Sequence, residues 1–236
     1  MRIAVIPARG GSKRIPRKNI RPFAGVPIIG YSIIAALESG LFDRVIVSTD
    51  DAGIAAVARQ FGAETPFLRP PEIADDYAST NAVVKHAIEW FRARGEAPDY
   101  ACCIYATAPF VQPEYLRQGY AMLAASDKQF AFSVTSFPFP IQRALRLVDG
   151  GAVDAFAPEH RLTRSQDLEE AYHDAAQFYW GRADAFVDGA VLFSPVSLAV
   201  ILPRHLVQDI DTLEDWQRAE LMYAALQATP KTEEQP

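Results

Sequence analysis

The sequence predicts an α/β fold, a mostly parallel sheet with helices on both faces, and three observations carry that expectation. Short β-branched runs alternate with amphipathic stretches through the first two-thirds of the chain. The runs "RIAVIP" and "YACCIYA" are apolar throughout, the pattern of strands buried on both faces. A glycine-containing turn follows the first of them, where open α/β sheets bind ligands. With 236 residues, half of them hydrophobic and 22% charged, the chain can bury a sizeable core.

The elements follow in order. "RIAVIP" is a buried strand that leads into the glycine turn. "PIIGYSIIAALESG" has helical spacing, with Pro27 at its start and Gly40 as its stop. "RVIVSTD" is a second strand, and "DDAGIAAVARQFG" the helix behind it, with Asp50–Asp51 as an N-cap. Asp75–Asp76 reads as a solvated loop. "TNAVVKHAIEWFRARG" is a helix, "YACCIYA" a third strand, "PEYLRQGYAMLAAS" a helix opened by proline, and "FAFSVTSF" a strand. The rhythm then breaks into an irregular, aromatic-rich stretch, read as an arm inserted over residues 138–182. Residues 1–137 and 183–228 form the α/β domain, resuming with "HLVQDID" as a strand and "TLEDWQRAELMYAALQA" as the closing helix. The polar tail 229–236 is expected to fray.

The formal net charge of −6 excludes a nucleic-acid-coating protein, which needs a broad basic face. The N-terminal apolar run is too short for a signal peptide, and no run approaches the roughly 20 residues of a membrane span. The expectation is a soluble, cytoplasmic protein with neither nucleic acid nor membrane as partner. Cys102 and Cys103 are adjacent on a strand and point to opposite faces, so they read as small buried hydrophobes.

Against this acidic background, "ARGGSKRIPRKN" at 8–19 gathers five cationic side chains after the first strand. It matches neither a Walker A motif nor a dinucleotide fingerprint. A triphosphate carries about four negative charges, and Arg9, Lys13 and Lys18 neutralise most of them, with Ser12 and the Gly10 and Gly11 amides adding hydrogen bonds. A solvated basic turn is the other reading of these residues. Near the end, "QDIDT" puts Asp209 and Asp211 on one side of an extended segment and Ile210 on the other. Paired carboxylates facing a polyphosphate suit Mg²⁺, which takes one or two carboxylates plus phosphate oxygens. Asp211 followed by Glu214 also fits a helix cap, which leaves Asp209 without a role.

Several ordered motifs then resemble one family, the cytidylyltransferases that activate nine-carbon sialic-acid-like sugars and their eight-carbon relative Kdo. They are "IPARGGSKRIPRKN", "VIVSTDD", "FLRPPEIADDYAST", "YATAPF" and "QDIDT", and they span nearly the whole chain. "FPFPIQRAL" and "YHDAAQFYWG" are most similar to the members acting on pseudaminic acid. The resemblance implies a Rossmann-like nucleotide-diphospho-sugar transferase fold and a homodimer formed through the arm. It puts Ala8, Arg9, Gly10, Gly11, Ser12, Lys13, Lys18, Asn19, Arg69 and Ser79 at CTP, and Mg²⁺ on Asp209 and Asp211. From the residues alone, Arg69 reads as an exposed loop arginine.

The implied sugar contacts are Tyr105, Arg143, Gln177 and Tyr179, with Arg143 matched to the sugar carboxylate. Phe178 and Trp180 read as core. Tyr105 stands where the sialic acid enzymes carry glutamine and Ala106 where they carry proline, which weakens N-acetylneuraminate as the substrate. The implied reaction joins CTP to a nonulosonic acid, the anomeric hydroxyl attacking the α-phosphorus with Arg9, Lys13, Lys18 and Asp211 as the catalytic group. Legionaminate, N-acetylneuraminate and Kdo remain as other sugars. A P-loop NTPase and a non-catalytic nucleotide-binding protein remain as other classes.

Overall fold

The apolar run at the start of the chain forms β1 (Arg2–Pro7), whose four interior positions are all buried. The structure is a computed structural model describing residues 1–74 and 78–228; the expectations for Asp75–Asp76 and for the tail 229–236 lie outside the described residues. After the basic loop comes a two-residue hairpin, β2 (Pro22–Phe23) and β3 (Val26–Pro27), turned by Ala24 and Gly25 at φ 45° and 88°. Both φ values are positive, as a hairpin turn matched to the strand twist requires.

α1 (Ile29–Ser39) ends at Gly40, which takes φ 66° and returns its N–H to Leu37 O. β4 (Arg44–Ser48) leads to α2 (Ala52–Gln60), capped by the Asp51 carboxylate on the Ile54 N–H. α3 (Thr80–Arg92), β5 (Tyr100–Ile104), α4 (Pro113–Ala124) and β6 (Phe130–Ser136) follow close to expectation. The arm carries only a small hairpin, β7 (Leu145–Leu147) with β8 (Val153–Ala155). The chain returns as β9 (Tyr172–Arg182), then α5 (Ala183–Val187), β10 (Ser197–Ile201) and α6 (Leu213–Ala228).

Among the described residues, six strands form the main sheet in the order β10-β6-β9-β5-β1-β4. β9 runs antiparallel to both neighbours and the other pairings are parallel. Successive residues serve opposite layers. Ile6, Val47 and Cys102 pack with α1 and α4, whereas Val5, Ile46 and Cys103 pack with α3 and α5. Both cysteines are free and fully buried, as small hydrophobes are. Phe178 and Trp180 are core, the indole N–H donating to Leu116 O at 3.0 Å. No helix among the described residues is long and apolar enough to cross a membrane.

Two expectations change. The stretch taken to leave the sheet over 138–182 rejoins it at Tyr172, so residues 172–182 are a central strand and only the residues before them form the arm. β9 is apolar at most positions yet interrupted by His173, Asp174 and Gln177, and this hides its strand character. "HLVQDID" is not a strand. It opens with a 3-10 turn at Arg204–Leu206 and continues without ladder pairing, and the strand of this region is β10, upstream. Side chains occupy the carbonyls that a ladder would use: Gln177 donates to Leu206 O and Lys18 to Ile210 O.

A third hydrophobic cluster positions the site. It joins Ile15 of the basic loop, Phe23, Phe110, Leu206, Ile210 and Trp216. Ile15 and Ile210 are fully buried in it, each burial stabilising by about 1.5–3 kcal/mol. Phe23 sits at its centre, with edge-on contacts to Tyr31, Trp216 and Tyr223 at ring-centroid distances of 5.4–5.6 Å. The cationic loop and the acidic segment are therefore fastened to each other through their apolar residues.

Candidate active site

β1, β4, β5 and β6 end on one edge of the sheet, and the antiparallel β9 begins there. Three cavities ring this edge. The first, about 510 Å³, is lined by Arg9, Ser12, Lys13, Arg14, Lys18 and Asn19 from the basic loop, with Arg69, Tyr105 and Thr107 opposite. The second, about 750 Å³, holds Asp174, Asp209 and Asp211. The third, about 420 Å³, is walled by Tyr105, Tyr179, Phe130, Phe186, Leu192 and Phe193.

The loop is built by close approach. A Cβ on Gly10 would lie 2.9 Å from Asp51 Oδ2, so a larger residue there would have to displace the Asp51 side chain, and the Gly10 N–H donates to Asp50 Oδ1 at 2.9 Å. That amide is committed to Asp50 rather than offered to a phosphate. Gly11 faces open space. Ala8 is buried and bonds Ser48 O, so its contribution is backbone placement. Arg17 holds φ 53°, a left-handed conformation that is costly for a residue with a side chain. Asn19 Nδ2 donates back to Arg9 O at 2.9 Å and closes the loop.

The acids meet this loop directly. Asp211 Oδ1 accepts from Arg14 at 2.8 Å and lies 3.6 Å from Lys18 Nζ. Burial lowers the Lys18 ammonium from its ordinary value, opposed by the charges of Asp211 and Asp209. The Asp209 carboxyl is raised, first by desolvation and then by its neighbour Asp211. The cap foreseen for Asp211 with Glu214 belongs one residue later. Thr212 Oγ1 accepts from the Asp215 N–H, and Asp215 Oδ2 accepts from the Thr212 and Asp211 N–H groups. The Asp211 carboxylate is thereby left to face the cationic loop.

Arg69 is not an exposed loop residue. It is buried, donating to Ser48 O and Oγ at the end of β4, and burial pushes its guanidinium down from the ordinary value while Asp50 opposes and Arg9 reinforces that effect. Ser79 caps α3 through the Ala82 N–H and lines the apolar cavity instead of the basic one. Tyr105 borders both of those cavities, its ring 5.3 Å from that of Tyr179. Burial raises both phenols, most strongly Tyr179, so they stay protonated donors. Gln177 is a buried strut to Leu206 and borders none of the three cavities. Arg143 sits on the arm, bonded to Ser165 Oγ, and also borders none of them.

Sequence reasoning assigned no role to Arg14, Thr107 or Asp174. Arg14 lay in the basic motif itself. Asp174 was hidden by a strand irregularity: β9 spends five residues from Asp174 to Tyr179 where β6 spends two, from Val134 to Phe132. On a regular strand, residues five apart face opposite ways. Here the irregularity turns them together, and Tyr179 OH donates to Asp174 Oδ2 at 2.6 Å.

A family model described as "Cytidylyltransferase" matches residues 3–190. The chain belongs to the cytidylyltransferase family. It is 47% identical over 221 residues to the pseudaminic acid cytidylyltransferase of Campylobacter jejuni, covering 94% of this chain and 95% of that protein. It is also 36% identical to a Helicobacter pylori protein named as both a pseudaminic acid cytidylyltransferase and a UDP-sugar hydrolase. That match covers 88% of this chain and 40% of the Helicobacter protein. Among solved structures, a CMP:2-keto-3-deoxy-manno-octonic acid synthetase complexed with CTP superposes with a TM-score of 0.69. It is 16% identical, covers 95% of this chain and 99% of its own, and so shows a shared fold. This cytidylyltransferase is a nucleotidyltransferase enzyme, and the P-loop NTPase and non-catalytic binder give way to that assignment.

Proposed function

We propose that the enzyme transfers CMP from CTP to pseudaminic acid, releasing pyrophosphate. The observation that supports the reading is the contact of Lys18 with Ile210 O and the Asp211 carboxylate, which brings the cationic loop and the acidic segment, lining neighbouring cavities, side by side. The choice of sugar follows the relatives named for pseudaminic acid. Arg9, Lys13 and Lys18 neutralise the triphosphate and the departing pyrophosphate, with Ser12 and Asn19 beside them. Arg69, fixed on β4, adds a guanidinium that needs no reorganisation when the nucleotide binds.

Asp209 and Asp211 fit a divalent cation. Burial first, and then the charge of Asp211, raises Asp209, and an added positive charge would relieve the repulsion between the two carboxylates. Mg²⁺ often takes one or two protein carboxylates together with phosphate oxygens, so Asp209 and Asp211 are the residues that would hold it. When bound, Mg²⁺ supplies charge neutralisation at the phosphates and acidifies an attacking hydroxyl. No side-chain nucleophile is required, since positioning and charge carry the catalysis. The apolar cavity beside Tyr105 and Tyr179 takes the sugar's apolar substituents. A cytoplasmic setting, where CTP is made, and a homodimer through the arm belong to the same reading.

The test is pyrophosphate release with CTP, ATP, GTP and UTP against a panel of keto sugar acids. Turnover confined to CTP and highest with pseudaminic acid is expected. Release from CTP without sugar, or none with any sugar, overturns the reading.

A further inference from the structure

Asp174 is a half-buried carboxylate with which no cation among the described residues forms an ion pair. Its oxygens are held by two internal donors, Tyr179 OH on Oδ2 at 2.6 Å and the Ala176 N–H on Oδ1 at 2.9 Å. Ala176 adopts φ 52° to make that turn, a conformation unfavourable for any residue with a Cβ. The strand also gives up regular pairing, spending three extra residues opposite β6. Strain, lost ladder bonds and a carboxylate with no ion-pair partner among the described residues all converge on one side chain, and none of them strengthens the core.

Its position explains what the arrangement achieves. Among the described residues, Asp174 is the one that borders both the polar cavity of Asp209 and Asp211 and the apolar cavity of Tyr105, Tyr179 and Phe193. A carboxylate keeps free lone pairs after accepting two hydrogen bonds, so it remains an acceptor toward either cavity. The matching ligand has a polar N–H donor directly joined to a small apolar group. An acylamino substituent is such a group, its N–H directed to the carboxylate and its methyl to the aromatic walls. A hydroxyl supplies the donor without the apolar part and leaves the third cavity unfilled.

Resting on the proposed sugar-activating reaction, we infer that Asp174 is a specificity-determining residue: it accepts a hydrogen bond from an acylamino N–H of the sugar and selects acylamino-bearing acids over hydroxyl-only ones. Tyr179 acts as a positioning residue, locking the carboxylate through its phenol.

The experiment compares wild type, Asp174→Asn and Tyr179→Phe with CTP and two acceptors: pseudaminic acid, which bears two acylamino groups, and 2-keto-3-deoxy-manno-octonic acid, which bears none. In Asp174→Asn, kcat/KM for pseudaminic acid should fall about ten- to a hundredfold, mainly through the KM for the sugar. The KM for CTP should stay within about twofold, and any rate with the octonic acid should be unchanged. Tyr179→Phe keeps the carboxylate and should show a smaller loss in the same sugar-dependent sense, so the inference stays testable if Asp174→Asn folds poorly. An equal loss with both acceptors, or a parallel rise in the KM for CTP, overturns the inference. A wild-type enzyme that uses neither acceptor overturns the proposed function itself, a distinguishable result.

Discussion

The nucleotide edge and the arm are held by opposite means. At the edge, Ile15 and Ile210 are fully buried in one cluster with Phe23 and Trp216, so charged groups far apart in sequence are set by apolar packing within a single chain. The arm leaves its large apolar side chains in solvent: Leu162 is 98% exposed, Leu147 81% and Phe139 79%. Its order rests on local polar contacts, such as Asp154 between Arg146 and Arg161. Exposed ion pairs of that kind contribute little, about 0–1 kcal/mol each. The difference teaches that the cationic loop and the acidic segment are set by buried apolar residues, whereas the arm leaves large apolar side chains uncovered, the surface on which the proposed homodimer would form.

Four substitutions sharpen or break this contrast, in decreasing order of effect. Lys13→Ala should cut kcat about 10²–10³-fold with the melting temperature nearly unchanged, because it removes charge at the phosphates without touching the core. Unchanged pyrophosphate release would remove Lys13 from the mechanism. Ile210→Ala should destabilise by about 2–5 kcal/mol in urea titration and raise the divalent-ion concentration needed for half-maximal rate. If stability falls and the metal titration does not move, the cluster supports the fold without placing the acids.

Leu147→Ser on the arm should change chain stability by less than about 0.5 kcal/mol and shift the sedimentation profile from dimer toward monomer. A profile that never shows a dimer would leave the exposed surface to some other role. Ala176→Gly should stabilise by up to about 1 kcal/mol, since it relieves a positive φ without removing a contact the site uses. Loss of stability there would mean the Ala176 methyl packs better than its backbone angle suggests.

Much of this was readable in the chain. The continuous apolar strands and the residues that cap or stop helices gave the layered sheet, because those signals are local: Asp51 and Gly40 do what their types predict, while Ser79, placed at the nucleotide by the resemblance, caps α3. The basic loop and "DID" were visible as charge clusters, but that Ile15 and Ile210 pack in one buried cluster is a tertiary fact the sequence did not show. Three more things were not legible. β9 was obscured because its polar residues sit at an irregular bend, which no period describes. The segment 207–211 has the alternation of a strand but loses its ladder to the side chains of Gln177 and Lys18, a tertiary event. Arg69 looked exposed because burial of a lone arginine depends on Ser48, far away in sequence.

The pairing of Arg14 with Asp211 has a thermodynamic corollary. Both side chains are substantially solvated, so separating them costs no more than about 1 kcal/mol. Were Asp209 and Asp211 to hold a divalent ion as proposed, the Arg14 guanidinium would leave Asp211 and be free to meet a phosphate. A triphosphate drawing on that guanidinium would in turn leave Asp211 open to the ion. Each ligand thus clears the other's place, and by reciprocity the nucleotide and the metal should tighten one another's binding by the same factor.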